Sequence, residues 1–157
     1  MKKWIFTGIG IILFVIAFFS FVYLRSVKPL GTAEEKAIGA AKKEVKLSKI
    51  TDVQIYNGNE TYYILRAKDS KNQDVIAWIS AKNNDVVVKK AKEGITQQQA
   101  VNKLLQEKDP KEIISVKLAM IKKRQCWEIY YISRNNLINY YYVDFETGEW
   151  LRKIENM

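Results

Sequence analysis

An uncharged and almost entirely apolar segment runs from Trp4 to Leu24. A helix over this segment, rising about 1.5 Å per residue, spans roughly the 30 Å hydrocarbon core of a bilayer. A cleaved signal peptide has a shorter apolar core, of about 7–15 residues, followed by small residues at the cleavage site. Residues 21–25 (FVYLR) offer no such site. The segment therefore predicts an uncleaved signal anchor that crosses the membrane once.

The charges that flank this segment bear on its orientation. Lys2 and Lys3 precede it, and Arg25 and Lys28 follow it, so the positive-inside bias is nearly balanced. A short basic N-terminal tail that precedes a long apolar segment usually stays in the cytoplasm. We therefore expect a single-pass protein of the cell membrane, with residues 26–157 outside the cytoplasm.

The charge of the remaining chain argues against nucleic acid as a partner. The formal net charge is +9, and residues 1–31 contribute four bases and no acids to it. Beyond that region the two signs are mixed, whereas nucleic-acid binding calls for a concentrated basic stripe. The only tight basic cluster is Lys122-Lys123-Arg124, and a charge run of this kind is typical of a solvated turn between strands.

The residue inventory excludes several kinds of active site. The chain has one cysteine, Cys126, and no histidine. It therefore forms no intramolecular disulfide, and it lacks the base of Ser-His-Asp and Cys-His catalysis as well as the commonest metal ligand. Glu128 and Asp144 can share a sheet face, but carboxylates on a strand surface are usually solvated. We predict no catalytic residue, no metal and no cofactor, and a protein that is not an enzyme.

Sliding the chain against itself by 64 positions reveals a duplication. Thr32 meets Thr96 and Glu35 meets Gln99, and each half then has the first and fourth residues of a helix capping box. The other pairs that come into register are Tyr63 with Trp127, Leu65 with Ile129, Ile79 with Val143 and Val86 with Trp150. No gap is needed to bring these markers together, which indicates two copies of one unit.

Each copy predicts one helix followed by four antiparallel strands. The helices are expected at 33–46 and 97–107, and the strands at 50–56, 60–68, 74–80, 85–90, 112–121, 125–133, 137–145 and 149–154. A helix that covers one face of an antiparallel meander makes a two-layer α+β unit. The predicted domains are therefore a tail and anchor (1–28) and two tandem α+β domains (29–94 and 95–157).

Alternation along the strands of the second copy assigns its two faces. Trp127, Ile129 and Tyr131 are expected to face the helix. The opposite face is the candidate partner-binding surface and carries Tyr130, Ile132, Tyr140, Tyr142 and Asp144. Tyrosine suits interfaces, because it presents apolar area with a polar tip. Two alternatives remain open: the two copies pack on each other through this surface, or tyrosine is there because it favours strands.

The C-terminal segment Asn139 to Trp150 (NYYYVDFETGEW) resembles the closing hairpin of PepSY-type domains, in which an apolar-Asp strand runs into a Thr-Gly turn. The whole layout is similar to that of the YpmB/TseB-like proteins of Gram-positive bacteria, which have a short anchor, a helix rich in Ala, Lys and Glu, and two cystatin-like units. Residues 91–96 (AKEGIT) also look like that family's junction. The resemblance covers the entire chain and includes no catalytic signature.

This resemblance implies a regulator of cell-wall elongation that acts beside a membrane-bound penicillin-binding transpeptidase, outside the membrane. The residues by themselves do not name that partner. An alternative is a PepSY-like inhibitor or modulator of an extracytoplasmic protease. The chain has no Gln-x-Val-x-Gly loop of the true cystatins, and no other segment obviously fits a protease cleft.

Overall fold

The computed structural model describes residues 12–21, 35–43 and 46–154. Residues 12–21 are the described part of the predicted anchor; they are helical, and large apolar side chains along them are exposed. The rest of the Trp4–Leu24 segment lies outside the described residues. Within the described ranges, no helix is both long enough and apolar enough to span a membrane.

Two four-stranded antiparallel sheets follow, each a simple meander. The first contains β1 (Leu47–Asn57), β2 (Thr61–Asp69), β3 (Asp74–Ser80) and β4 (Val86–Lys90), and the second contains β5 (Pro110–Ile121), β6 (Arg124–Ser133), β7 (Ile138–Asp144) and β8 (Trp150–Ile154). The predicted α+β class with two antiparallel sheets is confirmed. The domain boundaries at residues 28 and 94 stay predictions; by contact, residues 37–157 form one compact unit.

The register of the strands refines the repeat. Tyr56 of β1 pairs with Tyr62 of β2, and the equivalent pair in the second sheet is Ala119 with Cys126. The spacing is therefore 119 − 56 = 63 residues for the first strands and 126 − 62 = 64 for the second strands. The predicted spacing of 64 residues is confirmed for the markers on β2, β3 and β4, and among the described strands only β1 departs from it, by one residue. The hairpin between β5 and β6 accommodates the difference, because its turn differs from the loop between β1 and β2.

A capped helix (Gln97–Glu107) packs on the second sheet, as predicted. The Thr96 side chain accepts a hydrogen bond from the Gln99 backbone N–H, and the Gln99 side chain accepts one from the Thr96 N–H, at 3.2 and 2.7 Å. This reciprocal pair is a capping box. Ala100 and Leu104 of the helix are fully buried. They share a core with the apolar residues of β5, β6 and β7, including Trp127, Ile129 and Tyr131.

The first sheet lies against β5, which is an edge strand of the second sheet. The Gln54 side chain donates to the Leu118 carbonyl at 2.7 Å, and the Trp78 indole N–H donates to the Ala119 carbonyl at 3.1 Å. The Trp78 ring also meets the Phe145 ring edge-on, with centroids 5.3 Å apart. The two sheets therefore share one core, and packing of this kind protects an edge strand from pairing elsewhere.

The other face of the first sheet has its own buried residues. They are Tyr63, Leu65, Ala67, Val75, Ala77 and Ile79. Residues 35–43, inside the predicted helix 33–46, are helical, and their alanines Ala37 and Ala41 are buried. Thr32, the predicted cap of this helix, lies outside the described residues.

Candidate functional site: a tyrosine surface on the second sheet

Cross-strand pairing gathers aromatic and aliphatic side chains on one face of the second sheet. Tyr130 lies opposite Tyr140, and Ile132 lies opposite Ile138. On the other side of β7, Tyr140 lies opposite Ile154. Directly opposed residues of antiparallel strands share a face. We call these five residues the tyrosine surface; they are contiguous and all partly exposed.

The two tyrosine rings at the centre of this surface are ordered by stacking. The centroids of Tyr130 and Tyr140 lie 5.0 Å apart, with 20° between the ring planes. Tyr142 continues the stack on Tyr140 at 6.4 Å and 13°. Ile138, at one end of the surface, is 37% exposed. Stacked rings have few rotamers to lose, so a surface of this kind binds at a low entropic cost.

The structure separates the five residues predicted for the partner-binding face. Tyr130, Ile132 and Tyr140 lie together on the tyrosine surface, whereas Tyr142 and Asp144 are each only 6% exposed. The expectation that Tyr142 and Asp144 stay uncovered was therefore wrong, because another strand covers Tyr142 and the turn after β7, with Arg124, covers Asp144. That the remaining surface binds a partner stays a prediction.

Tyr142 is covered by Tyr56, which comes from β1 of the other sheet. The two side chains are hydrogen-bonded, and the Tyr142 hydroxyl also donates to the Glu128 carboxylate at 2.8 Å. Burial, with the charge of Glu128, raises the pKa of Tyr56 to about 12, and burial likewise raises the pKa of Tyr142. Both phenols therefore stay protonated. At this end of the face, the alternative that the two copies pack on each other is correct.

Asp144 is held by three donors. One carboxylate oxygen accepts from the backbone N–H groups of Glu146 and Thr147, both at 2.9 Å. The other accepts from the Arg124 guanidinium at 2.7 Å. Burial by itself would raise the pKa of Asp144, but these donors together hold it below the ordinary value. The Asp and Thr of the recognised C-terminal segment therefore build a turn, which Gly148 completes at φ +68°.

The remaining reactive groups are placed for packing. Cys126 is fully buried in β6, and burial raises the pKa of its thiol to about 12, so it is not a nucleophile near neutral pH. The Glu128 carboxylate accepts the hydrogen bond of the Tyr142 hydroxyl. In the part of the chain that the structure describes, no cluster of three or more His, Cys, Asp or Glu could hold a metal ion.

Ile138 and Ile154 belong to the tyrosine surface but were absent from the predicted face. Alternation along β7 places Ile138 two residues from Tyr140 and so on the same face. That signal was present in the sequence. Ile154 could be placed only from the register of β8, which is shifted between Tyr142 and Val143.

This architecture defines a class of α+β proteins with two antiparallel four-stranded sheets, and comparison with known proteins places the chain within that class. Residues 36–80 match the family described as "Cell wall elongation regulator TseB-like domain". Residues 94–153 match the PepSY family, described as "Peptidase propeptide and YPEB domain".

Two relatives from Bacillus subtilis extend the match to the full chain. The chain is 31% identical to the "Probable cell wall elongation regulator TseB" of strain 168, over 98% of this chain and 97% of that protein. The solved structure of the YpmB protein has a TM-score of 0.73 at 31% identity, covering 77% of this chain and 95% of that one. The chain therefore belongs to the TseB-like family, and the family resemblance stated from the sequence is confirmed.

Proposed function

We propose that the chain is a non-enzymatic, membrane-anchored regulator of cell-wall elongation, and that it binds a membrane-bound penicillin-binding transpeptidase outside the cytoplasmic membrane. The observation that carries this proposal is the similarity, over nearly the whole of both chains, to a relative named "Probable cell wall elongation regulator TseB".

The tyrosine surface is the proposed contact. Aromatic residues are enriched in the cores of protein interfaces, and contiguous exposed apolar patches mark interaction sites. Tyr130 and Tyr140 are stacked and partly exposed, and Ile132, Ile138 and Ile154 extend the apolar area around them. This combination favours a protein partner.

The proposed anchor is the segment Trp4 to Leu24. Residues 12–21 support it, because they are helical and expose large apolar side chains such as Phe14 and Phe19. Anchoring also suits a regulator of a membrane enzyme, since two partners tethered to one membrane meet at a raised effective concentration without any new contact.

The proposal is tested by weakening the surface in the full-length protein. We expect Tyr130→Ala with Tyr140→Ala to reduce co-purification of the transpeptidase from membranes at least about tenfold, because interface tyrosines are common hot spots. The matched control is Ile55→Ala with Leu105→Ala, two exposed apolar residues away from the surface. Equal recovery from both variants, with unfolding midpoints similar to that of the unaltered protein, would rule out this surface.

A second candidate function rests on the match of residues 94–153 to a family named for peptidase propeptides. In this alternative, the chain inhibits or modulates an extracytoplasmic protease. It predicts that the full-length protein slows a defined membrane protease in a concentration-dependent way. An unchanged rate of proteolysis at saturating protein would exclude it.

A further inference from the structure

Three turns from the two sheets meet at one end of the 37–157 unit. In an antiparallel meander, alternate hairpins lie at the same end, so the β1–β2 loop (58–60) and the β3–β4 turn (81–85) are neighbours. The β5–β6 turn, Lys122-Lys123, joins them from the second sheet, because Lys123 lines a cavity together with Glu60 and Asn83. Loops held in this way on a rigid scaffold are where binding sites commonly lie.

Two cavities occupy this junction, with volumes of about 220 and 240 Å³. Both are lined by Glu60, Tyr62, Met120 and Lys123, so they form one continuous groove. Tyr62 and Met120 are buried and give the groove an apolar floor. We call this the turn groove. No residue of the tyrosine surface lines it, so it is a separate feature of the molecule.

The lysine turn adopts an unusual backbone for its residues. Ile121 pairs with Arg124, so Lys122 and Lys123 are the two central residues of a tight hairpin. Their φ angles are 49° and 64°, the left-handed region that this turn type requires and that Asn-Gly fills most readily. An L side chain is strained there. The geometry of the turn therefore does not require lysine at either position.

The carboxylates around the turn groove have hydrogen-bond partners, whereas the two lysines of the turn have no ion-pair partner among the described residues. Glu60 accepts a hydrogen bond from the Tyr62 hydroxyl at 3.1 Å, and Asp85 accepts one from the Asn83 amide at 2.6 Å. By contrast, Lys122 and Lys123 form no ion pair among the residues that the structure describes. Both kinds of charge line the groove: Glu60 and Lys123 line both cavities, Asp85 and Lys82 line one of them, and Lys122 lines the other.

This arrangement restricts the chemistry of a ligand. An anionic group suits the two lysines, whereas a highly charged polyanion would also meet Glu60 and Asp85 and be repelled. N–H donors suit these two carboxylates, and an apolar side chain suits the floor. Each of the two cavities is by itself smaller than the roughly 300–1,000 Å³ of sites for drug-sized molecules, so each part of the groove suits a small group such as one residue of a peptide.

We propose that the turn groove binds the C-terminal end of a short peptide. The terminal carboxylate lies between the ammonium groups of Lys122 and Lys123. The peptide N–H groups point toward Glu60 and Asp85, and the last side chain lies over Tyr62. This inference goes beyond the proposed regulatory function and does not depend on the tyrosine surface.

The first test compares two peptides that differ only in the terminal charge. We expect N-acetyl-Ala-Ala-Ala to shift the backbone NMR signals of residues 59–62 and 122–124 in the full-length, detergent-solubilised protein. Its C-terminal amide should bind at least tenfold more weakly. Equal binding of the two peptides would overturn the proposal, as would sodium acetate that binds as tightly as the acid peptide, because the site would then hold an adventitious ion only.

The second test removes the charge without harming the fold. Lys122→Asn with Lys123→Gly installs the preferred dipeptide of the turn, so we expect binding of the acid peptide to fall at least tenfold while the unfolding midpoint rises. Lys122→Arg with Lys123→Arg should retain binding. The matched control, Lys42→Gln with Lys43→Gln, removes two adjacent exposed lysines elsewhere. Unchanged affinity in the Asn-Gly variant would overturn the proposal, and failure here would leave transpeptidase binding by the tyrosine surface untouched.

Discussion

At the scale of single residues, buried polar groups join the two sheets. The Tyr142 hydroxyl lies between the Glu128 carboxylate of its own sheet and the Tyr56 hydroxyl of the other sheet. A buried polar group that loses its partner costs about 1–3 kcal/mol. Tyr142 therefore stabilises the fold, although it extends the stack of exposed rings.

Replacement of Tyr142 by Phe tests this role. We expect Tyr142→Phe to lower the free energy of unfolding by about 1–3 kcal/mol, because Glu128 and Tyr56 each lose a partner. Urea denaturation followed by tryptophan fluorescence measures the change. Tyr130→Phe is the control, since it removes the hydroxyl of a partly exposed tyrosine, and it should stay within about 0.5 kcal/mol. Equal effects of the two substitutions would contradict the assignment.

Asp144 makes the stability depend on pH. Its pKa is lower in the folded state than the roughly 3.9 of an unfolded aspartate. Its contribution is therefore fully present above the unfolded pKa and is lost as the pH falls through the folded pKa. We expect Asp144→Asn to cost about 1–3 kcal/mol at pH 7 and progressively less below about pH 4.

Stability curves between pH 7 and pH 3 check this prediction. A difference between Asp144→Asn and the unaltered protein that stays constant over the whole range would contradict it. Asp109→Asn is the control. Asp109 is paired with Arg134 on the open surface, and exposed pairs contribute little.

At the scale of elements, the junction between the first sheet and the capped helix is closely packed. A Cβ atom added at Gly94 would meet the ring of Phe145. That ring is 1% exposed and lies against Trp78, so it has no room to move. The glycine is required here for space, since its φ of −121° is open to any residue.

Two glycine substitutions distinguish a steric requirement for glycine from the conformational freedom that a glycine brings. We expect Gly94→Ala to lower the free energy of unfolding by about 1–3 kcal/mol through overpacking. Gly39 is helical, and nothing lies within 4 Å of a Cβ atom added there. Gly39→Ala should therefore raise the free energy of unfolding by about 0.5–1 kcal/mol. Thermal or urea unfolding of the two variants gives the comparison. Stabilisation by Gly94→Ala would show that the Phe145 ring can move aside.

Local patterns predicted these elements well. The Thr96 and Gln99 capping box, the two meanders and the turn at Lys122 followed from short-range chemistry that the sequence displays directly. The shift from 64 to 63 residues between β1 and β5 could not be predicted from such local patterns, because it depends on the register of the paired strands. The burial of Tyr142 could not be predicted either, since the residue that covers it, Tyr56, is far away in the sequence.

At the scale of the whole molecule, the sheets depend on each other. The shared core contains residues of both sheets, including Trp78 of the first and Trp127 of the second. Gln54 and Trp78 also donate hydrogen bonds to carbonyls of β5. The turn groove arises from the same packing and could not be predicted from either copy alone, because its residues come from both sheets.

This dependence predicts cooperative unfolding. We expect far-ultraviolet circular dichroism and tryptophan fluorescence to report one coincident transition in urea. Trp78→Phe, which removes the bond to the Ala119 carbonyl, should lower the midpoint seen by both probes equally. Two separated transitions would show that the copies fold independently.

We propose above that the tyrosine surface contacts a cell-wall synthase. The most direct measurement places a photo-crosslinking residue at position 138, or at position 105 as control, in the full-length protein in living cells. Both positions are exposed and apolar, and only 138 lies on the tyrosine surface. We expect a penicillin-binding transpeptidase to be captured from position 138 and not from position 105. Capture of a protease alone from position 138, or equal capture of the transpeptidase from both positions, would contradict it.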